Sequence, residues 1–216
     1  MDNKIQASNI NQAKWSKKDI FYSVILIMLG QIICAVLSDK IVEELIPVIQ
    51  IIAVVIAISY LHHKLHWVVF DRLDTKLFLK YSTIGIICCI IIYYPVSMWL
   101  GKTFLQPKSY LVFKKYGLYG EIYLLILLAV MVPILEEILF RAYIYNMLKH
   151  KYNIYKAAII TSVLFMLLHA QINIIYLFVP SLIYIYVFEK SKTIWSCILT
   201  HSVNNLLWFV MTYWYK

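Results

Sequence analysis

The sequence predicts an all-α protein: a polytopic transmembrane helical bundle of about seven spans, with an interfacial amphipathic segment. Of its 216 residues, 62% are hydrophobic and 14% are charged, whereas a soluble domain has about 45–50% apolar and about 25% charged residues. Only five glycines and five prolines occur, so the excess consists of long apolar runs rather than low-complexity sequence. At about 20 residues per span, a chain of this length holds roughly six to eight spans.

Seven apolar runs are long enough to be spans. They cover residues 20–37, 44–61, 81–100, 121–148, 155–171, 172–188 and 193–214. Residues 62–80 mix charged side chains with aromatic and aliphatic ones, which predicts an amphipathic segment lying on the membrane surface. Two parts follow: residues 1–120 hold the N-terminal spans and the amphipathic segment, and residues 121–216 hold the core helices with most of the intramembrane polar groups.

The formal net charge of +9 comes from basic residues that cluster between the apolar runs. Basic residues in loops set the membrane topology of a chain and contact anionic lipid in the bilayer. We therefore expect no nucleic-acid partner. With the N-terminus inside, the inner segments carry 13 Lys and Arg and the outer segments carry 6. The positive-inside rule therefore predicts an inside N-terminus and an outside C-terminus.

Three charged residues interrupt the fourth apolar run, in the stretch VPILEEILFRAY: Glu136, Glu137 and Arg141. A charge at the bilayer centre costs at least about 2.5–3.5 kcal/mol on insertion scales. Glu137 and Arg141 are four residues apart, so they can form a structural ion pair. Glu136 lies about 100° around the helix from Glu137 and needs another partner or a proton. Alternatively, the helix is shorter and the charges lie at the interface. Pro133 lies one turn before the glutamates. Because proline has no N–H, a backbone carbonyl one turn before Pro133 is left without its helical partner.

The later spans contain polar partners for Glu136. His169 lies late in the fifth span, and His201 and Asn205 lie one turn apart in the seventh. Measured along the helices from loops on the same side, Glu136, His169 and Asn205 are each roughly 20 Å deep and His201 roughly 14 Å deep. The four residues can therefore converge near mid-membrane.

Hydrolysis of an amide by water is the chemistry that these groups predict. A desolvated glutamate suits a general base, with a histidine helping to hold the water. A second histidine and an asparagine can donate hydrogen bonds to an oxyanion. The sequence has no GxS, no HExxH and no GxGD motif, and its four cysteines lack CxxC spacing. Zinc held by Glu136, His169 and His201 is the alternative, and spacing does not separate the two.

Three short motifs carry a family resemblance. EEILFR, with Glu136, Glu137 and Arg141, is similar to the EExxxR motif of the type II CAAX prenyl endopeptidase and bacteriocin-processing family of intramembrane proteases. FMLLH, from Phe165 to His169, resembles its FxxxH motif, and HSVNN, from His201 to Asn205, its HxxxN motif. The resemblance covers about residues 121–210. Each motif alone is weak, whereas all three in this order within membrane helices are specific.

The resemblance implies an intramembrane endopeptidase. In it, Glu136 and His169 would activate water, and His201 and Asn205 would stabilise the oxyanion. Glu137 and Arg141 would support the site, and Phe165 would pack beside His169. No cofactor is expected in this interpretation, with a divalent metal such as zinc as the alternative.

The expected partner is a membrane-associated peptide or protein substrate, and no oligomeric state is predicted. The composition resembles that of a bacterial member from an AT-rich genome, which implies the plasma membrane. Bacterial relatives are linked to peptide or bacteriocin maturation and self-immunity.

Two other functions compete with the protease. The first is a non-catalytic regulatory or immunity protein of the same fold. Degraded motifs would support it, and none of the three motifs is degraded. A small transporter or proton relay also uses intramembrane Glu and His. That function predicts paired repeats or helices broken by Gly and Pro. The sequence has neither, apart from Pro133 and Pro180.

Overall fold

The structure is a computed structural model that describes residues 16–36, 45–65, 73–100, 115–169 and 174–214. These residues form seven helices and no strand. In chain order they are α1 (Lys17–Val36), α2 (Ile46–Leu65), α3 (Thr75–Leu100), α4 (Gly117–Lys151), α5 (Ile154–Leu168), α6 (Ile174–Ser191) and α7 (Ile194–Trp214). Each predicted span overlaps one of these helices, so the predicted helical bundle is confirmed.

The apolar helices make this an integral membrane protein. Within the part of the chain that the structure describes, four segments are long and apolar enough to cross a membrane: Ile46–His63, Thr75–Ile92, Gly117–Lys151 and Ile194–Met211. The predicted surface segment is divided between two helices, because residues 62–65 end α2 and residues 75–80 begin α3. Its middle, 66–72, and the predicted boundary near 171–173 lie outside the described residues.

Side-chain hydrogen bonds define where two helices begin. At the start of α1, the Ser16 N–H donates to Asp19 Oδ2 at 2.6 Å, and the Lys18 N–H donates to Ser16 Oγ at 3.2 Å. This reciprocal cap satisfies N–H groups that the first helical turn leaves unpaired. Asp19 Oδ1 also accepts from the Tyr60 hydroxyl at 2.9 Å, which ties α1 to α2. Asn153 caps α5 by accepting from the Lys156 N–H.

Two glycines allow close helix packing. A Cβ at Gly30 of α1 would lie 2.7 Å from the Ala53 Cβ of α2. A Cβ at Gly85 of α3 would lie 2.6 Å from Val187 Cγ2 of α6 and 2.9 Å from Thr200 Cγ2 of α7. Membrane helices approach closely where a small residue faces the neighbour, so α3 packs directly on the helices that hold the site.

Helix α4 lies against α2, α5 and α7 and is not regular. It contains two π-helical segments, Leu127–Met131 and Ile138–Tyr145, on either side of the α-helical segment Val132–Glu137. Both glutamates are in the central segment. π-helical segments are rare, occur mostly as single turns inside α-helices, and are frequent at functional sites. The second π segment is almost entirely buried, so it packs Arg141 into the centre of the bundle.

Candidate active site

Three helices bring a glutamate and two histidines together. Glu136 Oε1 of α4 lies 3.3 Å from His169 Nε2, at the C-terminal end of α5. Glu136 Oε2 lies 3.7 Å from His201 Nε2 of α7. The side chain of Glu136 is 16% exposed, that of His169 24% and that of His201 5%. Three of the four residues expected to converge, Glu136, His169 and His201, therefore lie together, with one carboxylate between two imidazole Nε2 atoms.

The other ring nitrogen of each histidine has a separate partner. His169 Nδ1 is 2.7 Å from the Phe165 carbonyl, one turn earlier in α5. A carbonyl only accepts, so His169 Nδ1 carries a proton and donates it. His201 Nδ1 is 2.7 Å from Glu137 Oε1. These contacts orient both rings so that each Nε2 faces Glu136, in the way that second partners orient functional histidines elsewhere.

Glu137 and Arg141 form the ion pair that their spacing predicts. Arg141 Nη1 donates to Glu137 Oε1 at 3.0 Å, and neither side chain is exposed. The same oxygen accepts from His201, so Glu137 holds both a guanidinium and an imidazole. The pair lies well inside α4, which continues to Lys151. Because Glu137 also contacts His201, a charged residue of the EExxxR motif orients the histidine of the HxxxN motif.

Arg141 has further partners that the sequence did not predict. Its Nη2 donates to Ser181 Oγ at 2.9 Å and to the Ser181 carbonyl at 3.3 Å. Its Cζ lies 4.8 Å from the ring centroid of Phe165 and 5.1 Å from that of Tyr184. Ser181 and Tyr184 belong to α6, where Ser and Tyr among apolar residues give no distinctive motif.

Two aromatic rings enclose the histidines. The Phe165 ring is 4.5 Å from the His169 ring and meets the His201 ring edge-on at 6.1 Å. Tyr184 stacks on His201 with centroids 4.6 Å apart and planes 21° apart. Phe165 thus packs beside His169, the contact that the FxxxH resemblance implies. Tyr184 was not among the predicted site residues.

Asn205 donates from Nδ2 to the Leu128 carbonyl of α4 at 2.9 Å. Pro133 explains why this carbonyl is free. The Val132 N–H bonds to the Leu127 carbonyl, five residues back, as in a π turn. The next bond in that register would need an N–H at residue 133, and proline has none. The freed acceptor is Leu128 rather than the residue four before Pro133, because the helix is π-helical here.

Among the residues that the structure describes, no group of three or more His, Cys, Asp and Glu side chains is placed to hold a metal ion. Glu136, His169 and His201, the residues that would hold zinc in the alternative interpretation, do not form such a group as they lie here.

Residues 119–207 match the family model described as Type II CAAX prenyl endopeptidase Rce1-like. In this segment the chain is similar to that family. All three motifs of the candidate site lie inside the matched segment, from Glu136 to Asn205.

The chain is also similar to a curated relative from Bacillus subtilis (strain 168), named "Putative membrane peptidase YdiL". It is 32% identical over 89 residues, which are 41% of this chain and 36% of the relative. The matched segment thus spans about a third of that relative's length. No solved structure matches the chain.

Proposed function

We propose that this protein is an intramembrane endopeptidase that hydrolyses a peptide bond of a membrane-associated peptide or protein. The observation that carries the proposal is the position of Glu136, whose carboxylate lies between His169 Nε2 and His201 Nε2 while each Nδ1 is engaged elsewhere. The match of residues 119–207 to the endopeptidase family model supports the same reaction class.

Glu136 is the general base in this mechanism. A water molecule held by Glu136 and His169 transfers a proton to the Glu136 carboxylate as its oxygen attacks the carbonyl carbon of the scissile bond. His169 accepts a hydrogen bond from the water at Nε2, because its proton is on Nδ1. The new C–O bond produces a tetrahedral oxyanion. Glu136 then returns the proton to the amide nitrogen, and the C–N bond breaks to leave a carboxyl group and an amine.

His201 and Asn205 stabilise the oxyanion. With Nδ1–H donated to Glu137, His201 can donate from Nε2 only as an imidazolium. Two carboxylates, Glu136 and Glu137, then balance one imidazolium and the Arg141 guanidinium. Asn205 has two amide hydrogens, and its bond to Leu128 uses one and leaves the other as a donor. Donors fixed before the reaction are the main source of such stabilisation.

The location and role belong to the same proposal. We place the protein in a bacterial plasma membrane with its N-terminus inside, on the distribution of Lys and Arg. Maturation of a peptide or bacteriocin, or self-immunity, is the role that the motif resemblance favours.

The test uses the purified full chain in nanodiscs with a library of synthetic transmembrane peptides, and products are read by mass spectrometry. Wild type is compared with Glu136→Gln, each with and without a strong chelator. Glu121→Gln is the matched control, since Glu121 lies on the same helix well before the site. We expect cleavage by wild type and by Glu121→Gln, none by Glu136→Gln, and no effect of the chelator.

Three results would change the proposal. Equal cleavage by wild type and Glu136→Gln would remove Glu136 from the mechanism. Loss of cleavage with chelator, restored by zinc, would replace the glutamate-activated water with a metal site. No cleavage of any peptide by folded wild type would favour a non-catalytic regulatory or immunity protein of this fold.

A further inference from the structure

Helix α6 contributes two side chains to the centre of the candidate site, although the three motifs lie on α4, α5 and α7. Ser181 and Tyr184 are three residues apart, so they lie on one face of α6. Ser181 is 0% exposed and Tyr184 is 1% exposed. Both contact Arg141, and Tyr184 also contacts His201. We propose that Ser181 and Tyr184 are positioning residues that fix Arg141 and the ring of His201.

Ser181 determines where the guanidinium lies. Arg141 Nη1 is bound to Glu137. A second contact is needed to fix the orientation of the guanidinium. Ser181 accepts from Nη2 with both its hydroxyl and its carbonyl oxygen, at 2.9 and 3.3 Å. A guanidinium bound at two separate nitrogens by two different helices has a single orientation. Its Cζ lies 4.8 Å from the Phe165 ring centroid and 5.1 Å from the Tyr184 ring centroid, and such contacts stabilise a buried cation.

Tyr184 supplies the constraint on His201 that hydrogen bonding alone does not. An imidazole held through Nδ1 can still turn about that bond, which would move Nε2 away from Glu136. Stacking on Tyr184 at 4.6 Å and 21° fixes the ring plane, and Phe165 contacts the ring edge-on. Nε2 is thereby held toward Glu136 Oε2.

The catalytic meaning of this inference rests on the proposed endopeptidase, so the test has one readout that does not need activity. The full chain with ¹⁵N-labelled histidine is placed in nanodiscs, and the ring-nitrogen signals of His201 are assigned by their loss in His201→Gln. In wild type we expect two protonated ring nitrogens, with Nδ1 held by Glu137 and Nε2 held toward Glu136. We expect the same in Tyr184→Phe, because the ring remains. In Tyr184→Leu the Nε2 signal should broaden and its proton should exchange with water faster, because the ring can turn about the Nδ1 hydrogen bond.

The second readout is kinetic. Tyr184→Leu should lower kcat about 10- to 100-fold, the range typical of lost orienting partners, with KM near the wild-type value. Ser181→Ala should lower kcat less, because the Ser181 carbonyl remains as an acceptor. The matched controls are Tyr186→Leu, an exposed tyrosine of α6, and Ser162→Ala, a buried serine of α5. Both controls should keep wild-type kcat and His201 signals.

The two readouts separate failure of this inference from failure of the proposed function. Wild-type His201 signals in folded Tyr184→Leu overturn the inference, whether or not the protein cleaves peptides. A protein that cleaves nothing but shows the expected change at His201 Nε2 in Tyr184→Leu keeps Tyr184 as the orienting residue and rejects the endopeptidase. If Tyr184→Leu does not fold, Tyr184→Met retains the volume without the ring and is judged by the same signals.

Discussion

Adjacent glutamates in one helix have different environments because neighbouring residues point about 100° apart. Glu137 is fully buried and bound to Arg141 and His201, whereas Glu136 retains 16% exposure and faces the Nε2 atoms of two histidines. A charge with strong fixed partners is poorly suited to exchange protons, and a charge near a partly open surface is better suited. This difference is the reason that the proposed mechanism gives Glu137 the supporting function and Glu136 the reactive one.

Arg141→Met should destabilise the folded protein by about 3–5 kcal/mol, because it leaves the Glu137 carboxylate buried without its guanidinium. The measurement is the free energy of unfolding in mixed micelles by denaturing-detergent titration. Lys156→Met, which removes an exposed cation, is the control and should cost little. The double variant Glu137→Gln/Arg141→Met should recover part of the loss. A cost for Arg141→Met no larger than that for Lys156→Met would contradict the prediction.

At the scale of the element, α4 is irregular where it carries the site. Its first π segment and Pro133 together leave the Leu128 carbonyl as the acceptor for Asn205. A regular α-helix would pair that carbonyl internally, and Asn205 would lose this partner. The irregularity of α4 thus determines where α7 docks, and with it the position of the asparagine one turn beyond His201.

Pro133→Ala should lower peptide cleavage while the thermal midpoint stays constant or rises. The restored N–H competes for the carbonyls one turn earlier, which weakens the Asn205 bond, and alanine is the better helix former. Cleavage rate and thermal midpoint are measured on the same nanodisc sample. Pro95→Ala in α3 is the matched control, since that proline is also inside a helix. Wild-type cleavage by Pro133→Ala would show that Asn205 does not depend on the proline.

Helix α1 contacts the end of α5 through a polar side chain. Gln31 Nε2 donates to the Leu168 carbonyl, immediately before His169. Carbonyls in the last turn of a helix lack intrahelical donors. A side chain from a neighbouring helix therefore holds the end of α5 that carries the histidine.

Gln31→Met should cost about 0.5–2 kcal/mol of unfolding free energy, the range for hydrogen bonds between membrane helices. It should also lower cleavage, since the His169 end of α5 is less well held. Ile32→Met, a lipid-facing change one residue later, should alter neither quantity. The prediction would be wrong if Gln31→Met and Ile32→Met had equal stability and equal cleavage rates.

At the scale of the whole molecule, α1 begins and α7 ends on opposite sides of the membrane if each of the seven helices in the described residues crosses it. The Lys and Arg distribution then predicts an inside N-terminus. On that topology α4 begins outside and α5 begins inside. Two exposed tyrosines mark these sides: Tyr119 in the first turn of α4 is 85% exposed, and Tyr155 in the first turn of α5 is 81% exposed.

Tyr119→Cys and Tyr155→Cys test this topology in a variant whose four native cysteines are replaced by serine or alanine. In intact bacterial cells, a membrane-impermeant maleimide should label Tyr119→Cys and not Tyr155→Cys. After the membrane is permeabilised, both should be labelled, which shows that each site is accessible. The reverse pattern in intact cells would place the N-terminus outside.

Most of the fold could be predicted from the sequence, and so could the charged and polar residues that lie together in the candidate site. Apolar runs of span length are sufficient to predict helices in a bilayer, because unpaired backbone groups there are too costly. The charges at 136, 137 and 141 stand out for the same reason. Ser181, Tyr184 and the Leu128 carbonyl could not be found in this way, since serine, tyrosine and backbone groups are ordinary in such helices.

The sequence by itself determined that this protein is a helical membrane bundle and which few polar groups must find partners within it. The energetic cost of polar atoms in hydrocarbon is local, so it can be estimated from each run of residues alone. Only the tertiary structure decided which partner each group has: Glu137 with Arg141 and His201, Glu136 between two imidazoles, Asn205 on α4. Those pairings depend on helix rotation, on the π turns of α4 and on the approach of α6, which arise from packing between segments distant in the chain.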